Sequence, residues 1–215
     1  MSLLKIFNVY WSSETAGPSP DNNKRTEIFL SGCKKARNGN ACKGCFNPDL
    51  WYEDYIAEVS PEDLLRQVKK FAPNKFITFV GGEPLDQFLP LAESLFLLKK
   101  NGYHIILFSH FLLEDIVKMK PKSTARKILD SIDILIDGEF QQEKCIYNDG
   151  NIGDGIFNVI GSGNQVVWDL SEKIDGKVEG LKSSDLVALY VTPQQKLKYI
   201  TKDEFEILKC DIYGR

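Results

Sequence analysis

Short apolar runs alternate with amphipathic stretches along the chain. The runs predicted as strands cover residues 3–11, 26–31, 75–80, 103–108 and 132–136. Periodic apolar positions predict helices near residues 60–72, 87–100, 112–119 and 124–131. Strands that are apolar on both faces are typical of a parallel sheet covered by helices. The pattern therefore predicts an α/β fold in which strands and helices alternate.

Local signals mark two helix boundaries. Ser60 and Pro61 suit the N-cap and the first helical position, because serine supplies a cap oxygen and proline needs no amide partner there. Asn101 and Gly102 follow the next helix, and glycine is the usual residue just past a helix end. Residues 12–25 contain two prolines and many polar side chains, which predicts a polar loop.

The alternation ends near residue 140. Residues 148–155 are rich in glycine and asparagine and predict a turn, and residues 161–165 precede a strand at 166–170. Further strands are expected near 186–191 and 196–200, with a short helix near 202–209. We therefore expect a core domain over residues 1–170 and a C-terminal extension, residues 171–215, packed on the same domain.

The composition is that of an ordinary soluble globular protein. The chain has 215 residues, of which 43% are hydrophobic and 27% charged, and its formal net charge is -3. No stretch reaches the roughly 20 apolar residues of a membrane span, so we expect no membrane partner. The slightly acidic balance gives no reason to expect a nucleic-acid partner. We expect a cytoplasmic protein, whose thiols stay reduced.

Three of the five cysteines lie in one polar loop that follows the second predicted strand. Cys33, Cys42 and Cys45 have the spacing C-x8-C-x2-C. In a reducing compartment, clustered cysteines more often bind metal than form disulfides. The C-x2-C pair is common in zinc sites, which require four ligands, whereas an iron–sulfur cluster can leave one iron open. The spacing alone supports these two about equally, and three unrelated thiols are the remaining interpretation. The remaining candidates for a fourth ligand have no matching spacing: Cys145, Cys210, His104 and His110.

Polar and glycine-rich signals follow three further strands. They are residues 81–83 (GGE), Ser109 with His110, and Asp137 with Gly138. In parallel α/β folds the carboxyl ends of the strands form the binding edge. On local grounds alone, the GGE sequence is favoured as a plain strand-to-helix turn, although its glycines would also let the backbone approach a ligand.

Three other polar residues have simpler explanations than ligand binding. Asp137 is expected to be a turn or cap residue and Asn164 a turn former. His104 begins an apolar strand and is expected to pack in the core, whereas His110, at a strand end, is a mild candidate for the site.

Taken together, the pieces FLSGC, CKGCFNPDLW, FVGGEPL, DILIDGEF and GSGNQ resemble the radical S-adenosylmethionine (SAM) enzymes. Within that superfamily they resemble the activating proteins of anaerobic ribonucleoside-triphosphate reductases. The pieces come in the family's order and span roughly residues 27–170. The resemblance implies an incomplete parallel (β/α) barrel with a C-terminal extension.

The resemblance also implies the cofactors and the residues that hold them. Cys33, Cys42 and Cys45 would ligate three irons of a 4Fe–4S cluster, and SAM would chelate the fourth iron. The residues expected to bind the cofactors are Gly44, Cys45, Phe46, Gly81, Gly82, Glu83, Ser109 and Asn164.

The implied activity is reductive cleavage of SAM to a 5′-deoxyadenosyl radical, which generates a glycyl radical on the anaerobic ribonucleotide reductase. The implied partners are that glycyl-radical subunit and a one-electron donor such as flavodoxin. Two alternatives stay open: another radical SAM enzyme that modifies a peptide or small molecule, and a non-catalytic zinc-binding module. The family usually has three residues between the first two cysteines, and this chain has eight. The extra residues are expected to bulge outward, because lengthening a loop costs little.

Overall fold

The computed structural model describes residues 3–13, 24–53, 57–145, 161–170, 187–191 and 197–201, the last two ranges as backbone only. Within these residues nine strands form one sheet. The strands are β1 (Leu4–Ser13), β2 (Arg25–Leu30), β3 (Ala57–Val59), β4 (Phe76–Gly81), β5 (His104–Phe108), β6 (Ile134–Asp137), β7 (Val166–Asp169), β8 (Val187–Val191) and β9 (Leu197–Thr201). Their order across the sheet is β3-β1-β2-β4-β5-β6-β7-β8-β9.

The centre of the sheet is parallel and its flanks are antiparallel. Strands β2, β4, β5 and β6 run in the same direction, whereas β1 and β3 on one side and β7 to β9 on the other alternate. In the part of the chain that is described, β3 and β9 do not pair with each other, so the sheet stays open. The predicted α/β fold with an incomplete barrel is thus confirmed.

Five α-helices connect the strands of the described residues. They are α1 (Lys34–Arg37), α2 (Pro61–Phe71), α3 (Phe88–Lys100), α4 (Leu113–Ile116) and α5 (Lys122–Ser131). All but α1 match stretches predicted as helical, and β8 and β9 match the two strands expected after residue 180. The turn at 148–155 and the helix near 202–209 fall outside the described residues.

The two longest helices form as the sequence predicts. The Ser60 hydroxyl accepts a hydrogen bond from the Asp63 amide at 3.1 Å and so caps α2. Gly102 has a φ of 79° just beyond α3, a conformation that glycine adopts without strain. Each helix packs apolar side chains into the core, for example Leu64 of α2 and Leu95 of α3, both of which are fully buried. This packing holds the parallel strands in place and so positions their carboxyl ends at one edge of the sheet.

The predicted polar loop at residues 12–25 is wrong at both ends, because strand pairing extends β1 to Ser13 and starts β2 at Arg25, and its middle lies outside the described residues. Arg25 is completely buried at the amino-terminal edge of the parallel strands. Its guanidinium donates to Thr78 Oγ1 at 2.8 Å, to the Ile77 carbonyl at 2.6 Å and to the His104 carbonyl at 3.2 Å. These acceptors satisfy a charge that would otherwise be costly to bury.

Candidate cofactor site

The carboxyl ends of the four parallel strands surround one cavity. Cys33 follows β2, Gly81 ends β4, Ser109 follows β5 and Gly138 follows β6, and all four line the cavity. Parallel α/β folds bind ligands at this edge. The location expected from the sequence is therefore the one that the structure forms.

Eight of the predicted site residues line this cavity. They are Cys33, Cys42, Cys45, Phe46, Gly81, Gly82, Glu83 and Ser109. His110 lines it too, whereas His104 lies at the other end of β5, near Arg25, and packs there as expected.

Gly44 and Asn164 are not among the lining residues. Gly44 has a φ of 73°, and a Cβ added there would lie 2.8 Å from the Gln142 side chain. Asn164 donates to the Glu139 carbonyl at 2.7 Å and accepts from the Ser162 hydroxyl at 2.8 Å. Asn164 thus stabilises the turn before β7, which is the role that its residue type alone predicted.

The long interval between the first two cysteines folds into two different parts. Its first half is the short helix α1, which begins directly after Cys33, and Ala36 of this helix is buried and lines the cavity. Residues 38–40 in the second half are exposed. The expectation that the insertion bulges outward is therefore right only for the second half, because the apolar Ala36 draws the first half inward.

Ion pairs tie α1 to three separate segments. Lys34 Nζ lies 3.8 Å from Asp86, Lys35 Nζ lies 3.0 Å from Glu139, and Arg37 Nη1 lies 3.0 Å from Glu53. Each pair is partly exposed, and such pairs contribute only about 0–1 kcal/mol each. Because each pair reaches a different segment, together they fix the position of α1 beside the cavity.

The Cys45 sulfur accepts hydrogen bonds from two N–H groups. The Asn47 amide and the Trp51 indole Nε1 each lie 3.4 Å from Cys45 Sγ. N–H donors of this kind stabilise the negative charge of a thiolate and tune the potential of a bound iron–sulfur cluster. This donor set suits a sulfur ligand of a metal cluster.

Burial disfavours the thiolate forms of Cys33 and Cys42. Burial raises the pKa of Cys33. Burial, reinforced by Glu139 and Cys45, raises the pKa of Cys42 to about 11. Bound metal ions reverse this preference, because their positive charge stabilises coordinated thiolates. Among the described residues, no group of three or more His, Cys, Asp or Glu side chains converges as a site for a single metal ion. All three cysteines line the same cavity, and cysteine thiolates are the usual ligands of 4Fe–4S clusters.

The two glycines at the end of β4, Gly81 and Gly82, have no room for a side chain, because the backbone of the segment that ends β2 lies against them. A Cβ on Gly81 would lie 2.4 Å from the Leu30 carbonyl oxygen, and one on Gly82 would lie 2.2 Å from the Gly32 carbonyl oxygen. The Gly82 amide donates to Leu30 and the Glu83 amide donates to Gly32, each at 2.8 Å. The glycines therefore join the end of β4 to the segment that carries Cys33, in addition to lining the cavity.

Glu83 is almost completely buried, with 1% of its surface exposed, and accepts four hydrogen bonds. Its Oε1 accepts from the Leu85 amide and the Ser109 hydroxyl, each at 2.9 Å. Its Oε2 accepts from the His110 amide at 2.9 Å and lies 2.6 Å from His110 Nδ1. Burial alone would lower the pKa of His110, but the hydrogen bond and the charge of Glu83 outweigh burial and raise this pKa.

The sequence did not single out several residues of the cavity, and three of them make contacts that shape it. The Trp51 indole donates a hydrogen bond to Cys45, six positions earlier in the chain. The Phe140 ring packs against the Phe46 ring with centroids 4.6 Å apart. Gln165 accepts from the Gly161 amide at 2.8 Å and donates to the Gly138 carbonyl at 2.9 Å. All three lie within the pieces CKGCFNPDLW, DILIDGEF and GSGNQ, so membership of a motif was the signal that could have indicated them.

A search of the described residues for a helix able to cross a membrane finds none.

Comparison with known proteins identifies the family. A family model described as a 4Fe-4S single cluster domain matches residues 22–167. The pyruvate formate-lyase-activating enzyme of Clostridium pasteurianum is 30% identical over 154 residues, which are 67% of this chain and 59% of that protein. The anaerobic ribonucleoside-triphosphate reductase-activating protein of Pasteurella multocida is 28% identical over 155 residues, 67% of this chain and 86% of that protein. The protein of the same name from Haemophilus influenzae is 28% identical over 134 residues, 56% of this chain and 77% of that protein.

The chain thus spans less than two thirds of the length of the Clostridium relative and more than three quarters of the other two. All three relatives are named as activating enzymes or proteins, which confirms the resemblance to the radical SAM activases. The family match and these relatives support a 4Fe–4S cluster and SAM as the cofactors. This chain belongs to the family of 4Fe–4S single cluster domains.

Proposed function

We propose that the chain activates the anaerobic ribonucleotide reductase by generating a glycyl radical on it. The observation that carries this proposal is the single cavity in which Cys33, Cys42 and Cys45 lie with Glu83 and His110. The choice of reductase over pyruvate formate-lyase follows the resemblance of the sequence pieces to the reductase-activating proteins, and it is supported by the Pasteurella and Haemophilus relatives of that name.

In this proposal the three cysteines hold a 4Fe–4S cluster and leave one iron open for SAM. When bound and reduced, the cluster supplies the electron that cleaves SAM to methionine and a 5′-deoxyadenosyl radical. The Cys45 sulfur, with its two N–H donors, sets the electrostatics around one iron.

The chain's own residues orient SAM and limit the access of water. Phe46, which is 58% exposed, and its neighbour Phe140 form the aromatic side of the cavity, suited to the adenine ring. Gly81, Gly82, Glu83 and Ser109 line the part suited to the methionine end. Gly44 and Asn164 act indirectly, by shaping the turns that carry Cys45 and Gln165.

The proposed partners are the glycyl-radical subunit of the reductase and a one-electron donor such as flavodoxin. The sheet is open within the described residues, and Phe46 is exposed beside the cavity. A glycine loop of a partner protein can approach an open sheet more readily than the interior of a closed barrel.

The test is radical transfer under strict anaerobiosis. The protein is reconstituted with iron and sulfide and incubated with SAM, a reductant and either the anaerobic reductase or pyruvate formate-lyase. Electron paramagnetic resonance then detects glycyl radicals. A radical on the reductase supports the proposal, and a radical only on pyruvate formate-lyase contradicts the choice of partner.

Cleavage of SAM without a radical on either protein would favour the other open alternative, a radical SAM enzyme that modifies a peptide or small molecule. A protein that binds zinc, takes up no cluster and leaves SAM intact would contradict the activase altogether.

A further inference from the structure

The Glu83 carboxylate has its full set of hydrogen bonds before any ligand binds. An ionised carboxylate offers about four acceptor positions, and Leu85, Ser109 and His110 fill all four of them. A cationic group that enters the cavity and binds this carboxylate must therefore displace a protein donor.

Three of the four donors are fixed in place. The Leu85 amide belongs to the 3-10 turn Pro84–Gln87, and the His110 amide belongs to the backbone directly after Ser109. The Ser109 hydroxyl also accepts the Phe111 amide at 3.0 Å, so it is held from both sides. Losing either amide donor would require a backbone turn to open, and turning the Ser109 side chain away would also give up its hydrogen bond with the Phe111 amide.

The fourth donor, the His110 imidazole, can leave by rotating about its side-chain bonds. Its side chain is 19% exposed and lines the cavity. Staggered side-chain rotamers interconvert rapidly at partly exposed positions. Beyond its contacts with Glu83, the ring packs against Phe111 with centroids 4.1 Å apart. Nothing in the backbone prevents this side chain from turning away from Glu83.

The imidazole also stabilises the buried Glu83 carboxylate before a ligand binds. A carboxylate that is 1% exposed is costly to keep ionised without a cationic partner, and breaking a buried pair is strongly destabilising. His110 supplies that partner. An incoming ammonium group can take over the same role, so the exchange leaves Glu83 compensated throughout.

We propose that His110 is a displaceable cap on Glu83, which the ammonium group of SAM replaces when SAM binds. This inference rests on the proposed function, because that function places SAM in the cavity. Displacing the imidazole then costs free energy, so the observed affinity for SAM is weaker than the intrinsic affinity.

The test measures SAM binding to reconstituted protein with its cluster oxidised, so that SAM is not consumed. Equilibrium dialysis gives Kd for wild type, His110→Ala and His110→Gln. A neutral glutamine can donate one hydrogen bond to Glu83 but carries no charge, so it should be a weaker cap than histidine. We expect SAM to bind about tenfold tighter to His110→Ala than to wild type, with His110→Gln between them.

The matched control is His104→Gln, which changes the other of the chain's two histidines. His104 lies away from the cavity, and the control should bind SAM as wild type does. Saturable SAM binding that is equal or weaker in both His110 variants overturns the cap while leaving the proposed function intact. A wild-type protein that carries its cluster but does not bind SAM overturns both. If His110→Ala does not fold, His110→Gln alone decides the direction.

Discussion

The indole Nε1–H of Trp51 donates a hydrogen bond to Cys45 Sγ across 3.4 Å, and the Asn47 amide donates to the same sulfur. Backbone hydrogen bonds also reach the other two sulfurs, from Ala36 and Lys35 to Cys33 and from Phe140 to Cys42, but burial outweighs them and raises the pKa of both thiols. Hydrogen bonds to ligand sulfurs raise the reduction potential of an iron–sulfur cluster, because they stabilise the more negative reduced state.

Replacing Trp51 with phenylalanine should lower the potential of the bound cluster. The change keeps an aromatic ring and removes one N–H···S bond. The bond is present in both oxidation states, so only its strengthening on reduction shifts the potential. The whole net value of a hydrogen bond, about 1 kcal/mol, corresponds to about 40 mV for a one-electron couple and is the upper limit of the shift. Redox titration followed by electron paramagnetic resonance measures the shift. Tyr52→Phe, at the exposed neighbouring residue, should leave the potential unchanged. Equal potentials in Trp51→Phe and wild type would show that the indole has no influence on the cluster.

Gly82→Ala should destabilise the protein by more than about 2 kcal/mol. The added Cβ would lie 2.2 Å from a backbone carbonyl oxygen of Gly32, and backbone cannot move aside as a flexible side chain can. The matched control is Gly163→Ala, whose Cβ would lie an ordinary 3.7 Å from the Lys144 carbonyl. Urea unfolding compares the two variants. Similar unfolding free energies for both would contradict the requirement for glycine at position 82.

The sequence located those parts of the site that follow strand ends. The cysteine loop, residues 81–83 and Ser109 each follow a parallel strand, and parallel strands bring their carboxyl ends to one edge. Such positions depend on local patterns that a single sequence displays. Local patterns of the same kind gave four of the five helices, whereas the open sheet was implied by the family resemblance.

Features that depend on contacts between distant segments could not be predicted in this way. Arg25 lies in a polar stretch of the sequence, and a charged residue in such a stretch predicts an exposed loop. Only the pairing of β2 with β4 brings Thr78 and the Ile77 carbonyl to the Arg25 guanidinium. Likewise Gln165, and not its neighbour Asn164, reaches the cavity, because the turn before β7 decides which side chain faces inward.

His104 should make the stability of the protein sensitive to pH below neutrality. Burial, and then the nearby charge of Arg25, lowers its pKa from 6.5 to about 4. As pH falls from 6.5 towards 4, the unfolded chain takes up this proton and the folded chain does not. Stability that is present above pH 6.5 is therefore lost across this window. At pH 5 the loss is on the order of 1–2 kcal/mol.

The measurement compares urea unfolding of wild type and His104→Gln at pH 7.5 and pH 5. Other groups that titrate in this range, His110 among them, are common to both proteins and cancel in the comparison. Wild type should lose more stability between the two pH values than the variant does. An equal loss in both proteins would show that His104 is protonated as readily in the folded chain as in the unfolded one.

The central claim is that Cys33, Cys42 and Cys45 together hold the 4Fe–4S cluster. The most direct test is the iron and sulfide content of each single Cys→Ala variant after anaerobic reconstitution, with Cys145→Ala as the matched control. Cys145 is a partly exposed cysteine outside the cavity lining. We predict that each of the three variants loses the stable cluster while Cys145→Ala retains the full complement. A full cluster in any one of the three, or its loss in Cys145→Ala, would contradict the assignment.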